Sequence, residues 1–307
     1  MLAISQDELG GPEVLKTVTV PRPEPGLGQI LVRVRAASVN PVDVINRQTG
    51  AFVGQPPFTL GWDVSGTVEA VGYGSTLYQP GDEVFGLLPF PQGHGAYAEF
   101  VVAPTRAFAF KPDALDHVQA AALPLAGLTA WQALVETARL SSGQRVLITA
   151  PAGGVGHLAV QIAKARGAHV TALAKQDNAE FVSSLGADEL MYYTTTDFSK
   201  VLTDIDVVFD MVGHDYPAKA LQVLKPGGTL ISISPQAGPS ILAEAAERGI
   251  RVADLLVESD RLGLTALAEL VTAGQLTPTI AATFPLDAAG QAQSQKSGPG
   301  KTVLTVD

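Results

Sequence analysis

Residues 145–150, Arg145-Val146-Leu147-Ile148-Thr149-Ala150, form a short apolar run, and a helical pattern follows over residues 155–166. The turn joining them reads Ala150-Pro151-Ala152-Gly153-Gly154-Val155-Gly156, with Gly153, Gly156 and Ala159 three apart. Small residues at that spacing let the backbone approach a pyrophosphate and let the helix pack close to the strand. The first helical turn then offers free N–H groups and a positive dipole end. Ala152, Gly153, Gly154, Val155 and Gly156 are therefore candidate phosphate contacts. Pro151 stands where the dinucleotide fingerprint has its first glycine, and a tight turn without a ligand is the alternative reading. At the end of the next strand pattern lies Lys175. A site for NAD usually places Asp or Glu there to take the ribose hydroxyls, whereas a cation suits the 2′-phosphate of NADP(H). Asp177, two residues on, would tie up the lysine or repel the phosphate, and a solvated lysine is the competing assignment.

The chain has no cysteine, which excludes disulfides, thiolate zinc sites and cysteine nucleophiles. His94, His117, His157, His169 and His214 show no metal-ligand spacing and read as surface or internally bonded side chains. No metal site is expected.

The elements that must carry these residues change character along the chain. Up to about residue 110 the sequence reads as short strands and turns. Gln29-Ile30-Leu31-Val32-Arg33-Val34-Arg35 alternates at period two, and prolines and glycines punctuate the segment. From residue 118 strands alternate with helices. Strands are expected at 145–150, 169–174, near 190, at 206–210 and at 229–234, and helices at 155–166 and 178–185. That rhythm means a doubly wound parallel sheet. A helix over 264–273 and strands over 279–284 and 302–306 follow, which either extend that sheet or return to the first domain. Of 307 residues 46% are hydrophobic and 16% charged, so a full core is available and disorder is not expected. The net charge of −10 leaves no basic surface for nucleic acid or an anionic membrane. Residues 118–135 are almost uncharged, but Pro124, Gly127 and the flanking Asp116 and Glu136 suit a buried helical connection better than a membrane span. The N-terminus lacks the basic start and apolar stretch of a signal peptide, so a cytoplasmic protein is expected.

Taken together, the chain resembles the zinc-independent quinone oxidoreductase branch of the medium-chain dehydrogenase/reductase (MDR) superfamily. The resemblance rests on Asn40-Pro41-Val42-Asp43, Gly61-Trp62-Asp63-Val64-Ser65-Gly66, Pro80-Gly81-Asp82-Glu83-Val84 and Gly95-Ala96-Tyr97-Ala98-Glu99. It continues through residues 121–130, Gly153-Gly154-Val155-Gly156, Leu185-Gly186-Ala187-Asp188 and Gly300-Lys301-Thr302-Val303-Leu304. Departures are Pro151, Lys175 and Asp177. The resemblance implies an α/β fold: a β-rich GroES-like catalytic domain at 1–117 and 256–307, with the C-terminal segment returning to it, and a Rossmann domain at 118–255. Zinc-dependent relatives use a Cys near the Asn40 position and a His in a Gly-His-Glu motif, where this chain has Gly61-Trp62-Asp63.

By the same resemblance Thr129 belongs beside the nicotinamide ribose or carboxamide, Tyr193 near the adenosine phosphate, and Val212-Gly213 beside the nicotinamide half. Ser232 completes that cofactor set. Alternatives are a backbone-bonded helix residue for Thr129 and strand packing for Tyr193. Asn40 either orients acceptor or nicotinamide through its amide or is a turn residue before Pro41. Asp43 and Asp63 are acids or structural hydrogen-bond partners, and Tyr97 belongs to the core. Lys301 lies near the cofactor or is a solvated strand end. Without a metal to polarise a carbonyl, hydride delivery suits a conjugated acceptor such as a quinone. The expected function is an NADPH-dependent quinone reductase working as a homodimer. An enone or activated-alkene reductase of the same fold and a non-catalytic NADPH-binding protein are the alternatives.

Overall fold

The structure, a computed structural model, describes residues 1–234, 238–295 and 298–307. Contacts divide it into two units, one of Met1–Leu128, Glu258–Gly274 and Pro278–Asp307, the other of Thr129–Val257 and Gln275–Thr277.

The first unit is β-rich, as the dense turn signals require. Strands β1 (Leu2–Gln6), β2 (Lys16–Thr19) and β4 (Phe58–Thr59) form a small antiparallel sheet. The larger sheet runs β15-β16-β3-β5-β6-β8, and β7 pairs with β3. Its strands are β3 (Gln29–Val39), β5 (Asp63–Val71), β6 (Glu83–Leu87), β7 (Phe100–Pro104), β8 (Phe108–Phe110), β15 (Ile280–Pro285) and β16 (Lys301–Thr305). The tail therefore returns to the first unit: β16 pairs antiparallel with β3, setting Thr302 opposite Val39. Helix α1 (Pro41–Thr49) interrupts the strands where only strands and turns were expected. Asn40 caps it, Pro41 fills its first turn with the fixed φ a helix start needs, and Asp43 accepts the Asn40 backbone N–H at 2.6 Å. Helix α2 (His117–Ala121) packs on β3 and β5, and the Leu125 N–H at the start of α3 (Pro124–Trp131) donates to Asp63 at 2.6 Å. These contacts hold the chain in the first unit beyond residue 117, and the division falls after Leu128.

The second unit is a six-stranded parallel sheet of order β11-β10-β9-β12-β13-β14. Its strands are β9 (Arg145–Thr149), β10 (His169–Ala174), β11 (Glu189–Tyr192), β12 (Ile205–Asp210), β13 (Leu224–Ser232) and β14 (Arg251–Asp254). Helices α4 (Gly156–Ala165), α5 (Ala179–Ser184), α6 (Tyr216–Val223) and α7 (Pro239–Glu247) make the crossovers. Strand β13 begins at Leu224, so Pro226-Gly227-Gly228 lies inside it as an irregularity in its pairing with β12 rather than as a separate turn. Leu147, Val208, Leu230 and Leu221 are buried in one apolar cluster of this unit. Residues 275–277 belong here because the Gln161 amide clasps the Thr277 backbone, donating to its carbonyl (3.0 Å) and accepting its N–H (2.9 Å). Among the described residues no helix is long and apolar enough to cross a membrane.

Candidate functional site

Strand order reverses between β9 and β12, and in open α/β sheets that point, at the carboxyl ends of the strands, is where ligands bind. Those ends carry the residues singled out in the sequence. The glycine turn follows β9, Lys175 follows β10, Tyr193 follows β11, Val212-Gly213 follows β12, and Ser232 ends β13. Within the turn Ala150 has φ +46°, the left-handed region that costs a non-glycine residue of order 1–3 kcal/mol. Its carbonyl accepts the Gly153 N–H at 3.0 Å, and the buried His157 ring Nδ1 sits 3.0 Å from the Gly153 carbonyl. His157 thus braces the turn from the helix.

The two turn glycines have different duties. A Cβ at Gly156 would fall against the Ala150 carbonyl and 2.7 Å from Pro151 Cα, both backbone, whereas at Gly153 the nearest atom would be the Ala150 oxygen at 3.3 Å. Gly156→Val should therefore lose stability of about 1–3 kcal/mol, and Gly153→Ala should stay within about 0.5 kcal/mol of the parent. Urea denaturation checks this, and equal stabilities would refute the assignment.

Lys175 forms an ion pair with Asp177 at 2.5 Å, both side chains exposed, and the carboxylate holds the ammonium above its usual value. The lysine is thus tied by its neighbour rather than free in solvent. Tyr193 is exposed beyond the strand end, not packed in the strand. With Thr195, Asp197, Tyr216 and Lys219 it borders a pocket of about 250 Å³.

Asp210, which the sequence reading passed over, organises the turn after β12. It is buried and accepts the N–H groups of Val212 and Gly213 (3.0 Å each) and the Thr149 hydroxyl (3.2 Å). Thr149 Oγ1 in turn accepts the Met211 N–H at 2.8 Å. Gly213 and His214 both take left-handed φ, +76° and +55°, and a Cβ on Gly213 would meet Ser234 Oγ at 2.5 Å. Burial pushes Asp210 above the usual carboxylate range, and the bonds it accepts oppose that. An acid closing an apolar strand three residues before a glycine was its available signal.

In the first unit Asn40, Asp43, Asp63 and Lys301 come together with two residues not foreseen as site members, Ser38 and Tyr97. Asp63 Oδ2 accepts from Ser38 Oγ (2.5 Å) and Asn40 Nδ2 (2.8 Å) and faces Lys301 Nζ at 3.6 Å. Lys301 Nζ donates to Asn40 Oδ1 at 2.5 Å. Tyr97, a core residue as expected, donates its hydroxyl to Asp43 Oδ2 at 3.0 Å. Two alternatives from the sequence fail here. Lys301 is not a solvated strand end, being 4% exposed because β16 lies inside the sheet beside β3. Nor is Asn40 a plain turn residue: it caps α1 and is 3% exposed. Burial pushes Lys301 down, with Asp63 and Asp43 opposing, and pushes Asp43 up to about 7. Thr129 is buried on α3.

Residues 26–113 match the alcohol dehydrogenase GroES-like domain family, and residues 185–304 the zinc-binding dehydrogenase family. The quinone oxidoreductase from Coxiella burnetii is 36% identical, with a TM-score of 0.92 over 100% of this chain and 99% of that one. The chain belongs to the zinc-independent quinone oxidoreductase branch of the MDR superfamily. It is similar to mouse NAD(P)H oxidoreductase RTN4IP1, mitochondrial (35% identity over 91% of this chain and 82% of that protein). Escherichia coli quinone oxidoreductase, solved in complex with NADPH, is 27% identical with a TM-score of 0.88, covering 99% of this chain and 100% of that one. The second family's description names zinc binding. The chain has no cysteine, and among the described residues no three of His, Cys, Asp and Glu gather where a metal could sit. Trp62, at the position read against the zinc-binding histidine, is buried, donates Nε1–H to the Pro91 carbonyl and stacks edge-on against Phe90 at 5.2 Å.

Proposed function

We propose that this oxidoreductase uses NADPH to reduce a quinone or another conjugated carbonyl, without zinc. The observation that carries the reading is the gathering of the glycine turn, Lys175, Tyr193 and the Val212-Gly213 turn along one edge of the parallel sheet at its switch point. The open space over Gly153 fits a pyrophosphate cradle, since nothing but the Ala150 oxygen would touch a side chain there. Gly153, Gly154 and the first turn of α4 would hold the pyrophosphate by backbone N–H groups. Lys175 and Tyr193 would take the phosphorylated ribose, and Thr129, Val212, Gly213 and Ser232 the nicotinamide half. Bound there, the reduced nicotinamide would supply a hydride. Asn40 presents an amide N–H to the acceptor oxygen, where negative charge builds during reduction, and solvent gives the balancing proton. A conjugated acceptor spreads that charge, so a metal Lewis acid is not needed.

The test is NADPH oxidation followed by absorbance with a quinone, with an enone and with no acceptor, each repeated after strong chelation. Quinone-dependent turnover untouched by chelation is expected. A preference for the enone would move the assignment to activated-alkene reduction, turnover lost with a stoichiometric metal would end the zinc-free reading, and no turnover with either acceptor would leave a cofactor-binding protein. In the cradle, Gly153→Ala should weaken NADPH binding in a protein of unchanged stability.

Cofactor choice rests on Lys175. An exposed ion pair such as Lys175–Asp177 is weak, so the lysine can leave its partner for a phosphate carrying nearly two charges. NADPH should be preferred by at least about 10-fold in kcat/KM. Lys175→Ala should erase most of that preference by weakening NADPH use alone, and Asp177→Ala should enlarge it by releasing the lysine. Steady-state kinetics with both cofactors at one ionic strength decides, and equal use of NADH and NADPH by the parent protein would refute the assignment.

A further inference from the structure

The Asn40 carboxamide is gripped from both ends. Its oxygen accepts from the Lys301 ammonium at 2.5 Å, and its nitrogen donates to the Asp63 carboxylate at 2.8 Å. Turned over, the amide would set its NH2 against the ammonium and its oxygen against the carboxylate, so the two charges permit one orientation. Lys301 is itself held: Nζ also donates to the Val39 carbonyl at 3.3 Å and faces Asp63 at 3.6 Å. Asp63 is fixed by Ser38 and by the Leu125 N–H. A lysine buried at the start of a strand is costly to the fold, and packing alone would be served as well by Met or Leu at Lys301. What the ammonium adds is a donor aimed at one amide oxygen. That leaves the second N–H of Asn40, which makes no bond among the described residues, pointing in a fixed direction.

We propose that Lys301 is a positioning residue: with Asp63 it locks the Asn40 carboxamide so that the free N–H is presented, already oriented, to the acceptor oxygen. This rests on the reading of Asn40 as the group that meets the acceptor. A donor oriented in advance spends nothing on reorganisation as charge develops, whereas an amide free to turn over spends part of its time offering an oxygen to an oxygen. Lys301 then acts on the reaction entirely through Asn40.

The experiment is a double-variant cycle of Asn40→Ala and Lys301→Met, with quinone kcat and KM measured beside NADPH affinity by fluorescence titration. Asn40→Ala should lower kcat/KM for the quinone about 10- to 100-fold, and Lys301→Met about 10-fold, mostly in kcat, with NADPH affinity unchanged in both. The double variant should be no slower than Asn40→Ala, and Lys301→Gln, which keeps an N–H donor, should recover part of the loss. If Lys301→Met alone fails to fold because Asp63 is left unpaired, the charge-neutral pair Asp63→Asn with Lys301→Met is compared with the same pair carrying Asn40→Ala. Removing Asn40 is then expected to slow that pair much less than it slows the parent, and an equal slowing of both would overturn the proposal. Single effects that multiply in the double variant, or weaker NADPH binding in Lys301→Met, would overturn the proposal. A large effect of Asn40→Ala with none from Lys301→Met defeats the proposal alone, and no effect of Asn40→Ala defeats the reading of Asn40 beneath it.

Discussion

Asp63→Ala is expected to destabilise the protein by about 3–5 kcal/mol, the usual consequence of leaving a buried charge without its partner. Asp63 is fully buried and takes hydrogen bonds from Ser38, Asn40 and the Leu125 backbone, besides facing the Lys301 ammonium. Alanine removes both carboxylate oxygens at once and leaves these donors without their acceptor. The Leu125 N–H belongs to the first turn of α3, whose N–H groups have no helical partners, so the carboxylate also caps that helix. Asp63→Asn keeps the shape and one acceptor oxygen and should lose distinctly less. By contrast, Lys16→Ala, which breaks the exposed pair with Asp7, should be hard to distinguish from the parent. Urea denaturation of the three variants provides the comparison. A loss below about 1 kcal/mol for Asp63→Ala would show that the cluster is hydrated and that its charges are screened.

Why some of this was legible in sequence and some was not follows from range. The glycine turn, β9, β10 and α4 were readable because period and turn chemistry act over a few neighbouring residues. Strand β14 escaped because Arg251–Asp254 is four residues long, only half-buried at the sheet edge, and carries no apolar run. Helix α1 escaped although its signals are local: Asn40, then Pro41, then an acid at the third helical position is a helix start, and reading the first 110 residues as strands and turns concealed it. Lys301 is a different case. Its amide partner lies 261 residues away, and only the pairing of β16 with β3 brings the two together. No local pattern separates such a lysine from one at a solvated strand end. Asp210 stands between these cases, since its spacing to Gly213 is local while its bond to Thr149 depends on β12 lying beside β9.

The pH dependence of stability should expose Asp43. Its carboxyl is fully buried; Oδ2 accepts the Asn40 N–H and the Tyr97 hydroxyl, and Oδ1 has no partner among the described residues. Burial, opposed by the bond from Asn40 and reinforced by the nearby Asp63 charge, raises it from 3.8 to about 7. Between those values the folded protein keeps a proton that the unfolded chain has released, so stability falls as pH rises through the window and the loss is complete above about 7. For a wholly buried carboxyl moved that far, the change is about 4 kcal/mol. Asp43→Asn is neutral at every pH, and its amide oxygen can accept the same two bonds while its nitrogen takes the place of the unpartnered Oδ1. The variant is expected to start less stable than the parent near pH 4, since it buries an unpaired N–H at about 1–3 kcal/mol. It should gain on the parent steadily until about pH 7 and then run parallel to it. The Lys301 contribution has the opposite sign: a depressed amine loses its proton more readily in the folded state, so stability rises with pH through a window that ends at 10.5. Subtracting the variant's unfolding free energy from the parent's at each pH between 4 and 9 separates the two. A difference that stays flat from pH 4 to 7 would mean that Asp43 is ionised throughout in the folded protein and that its burial is offset by charges nearer than Lys301.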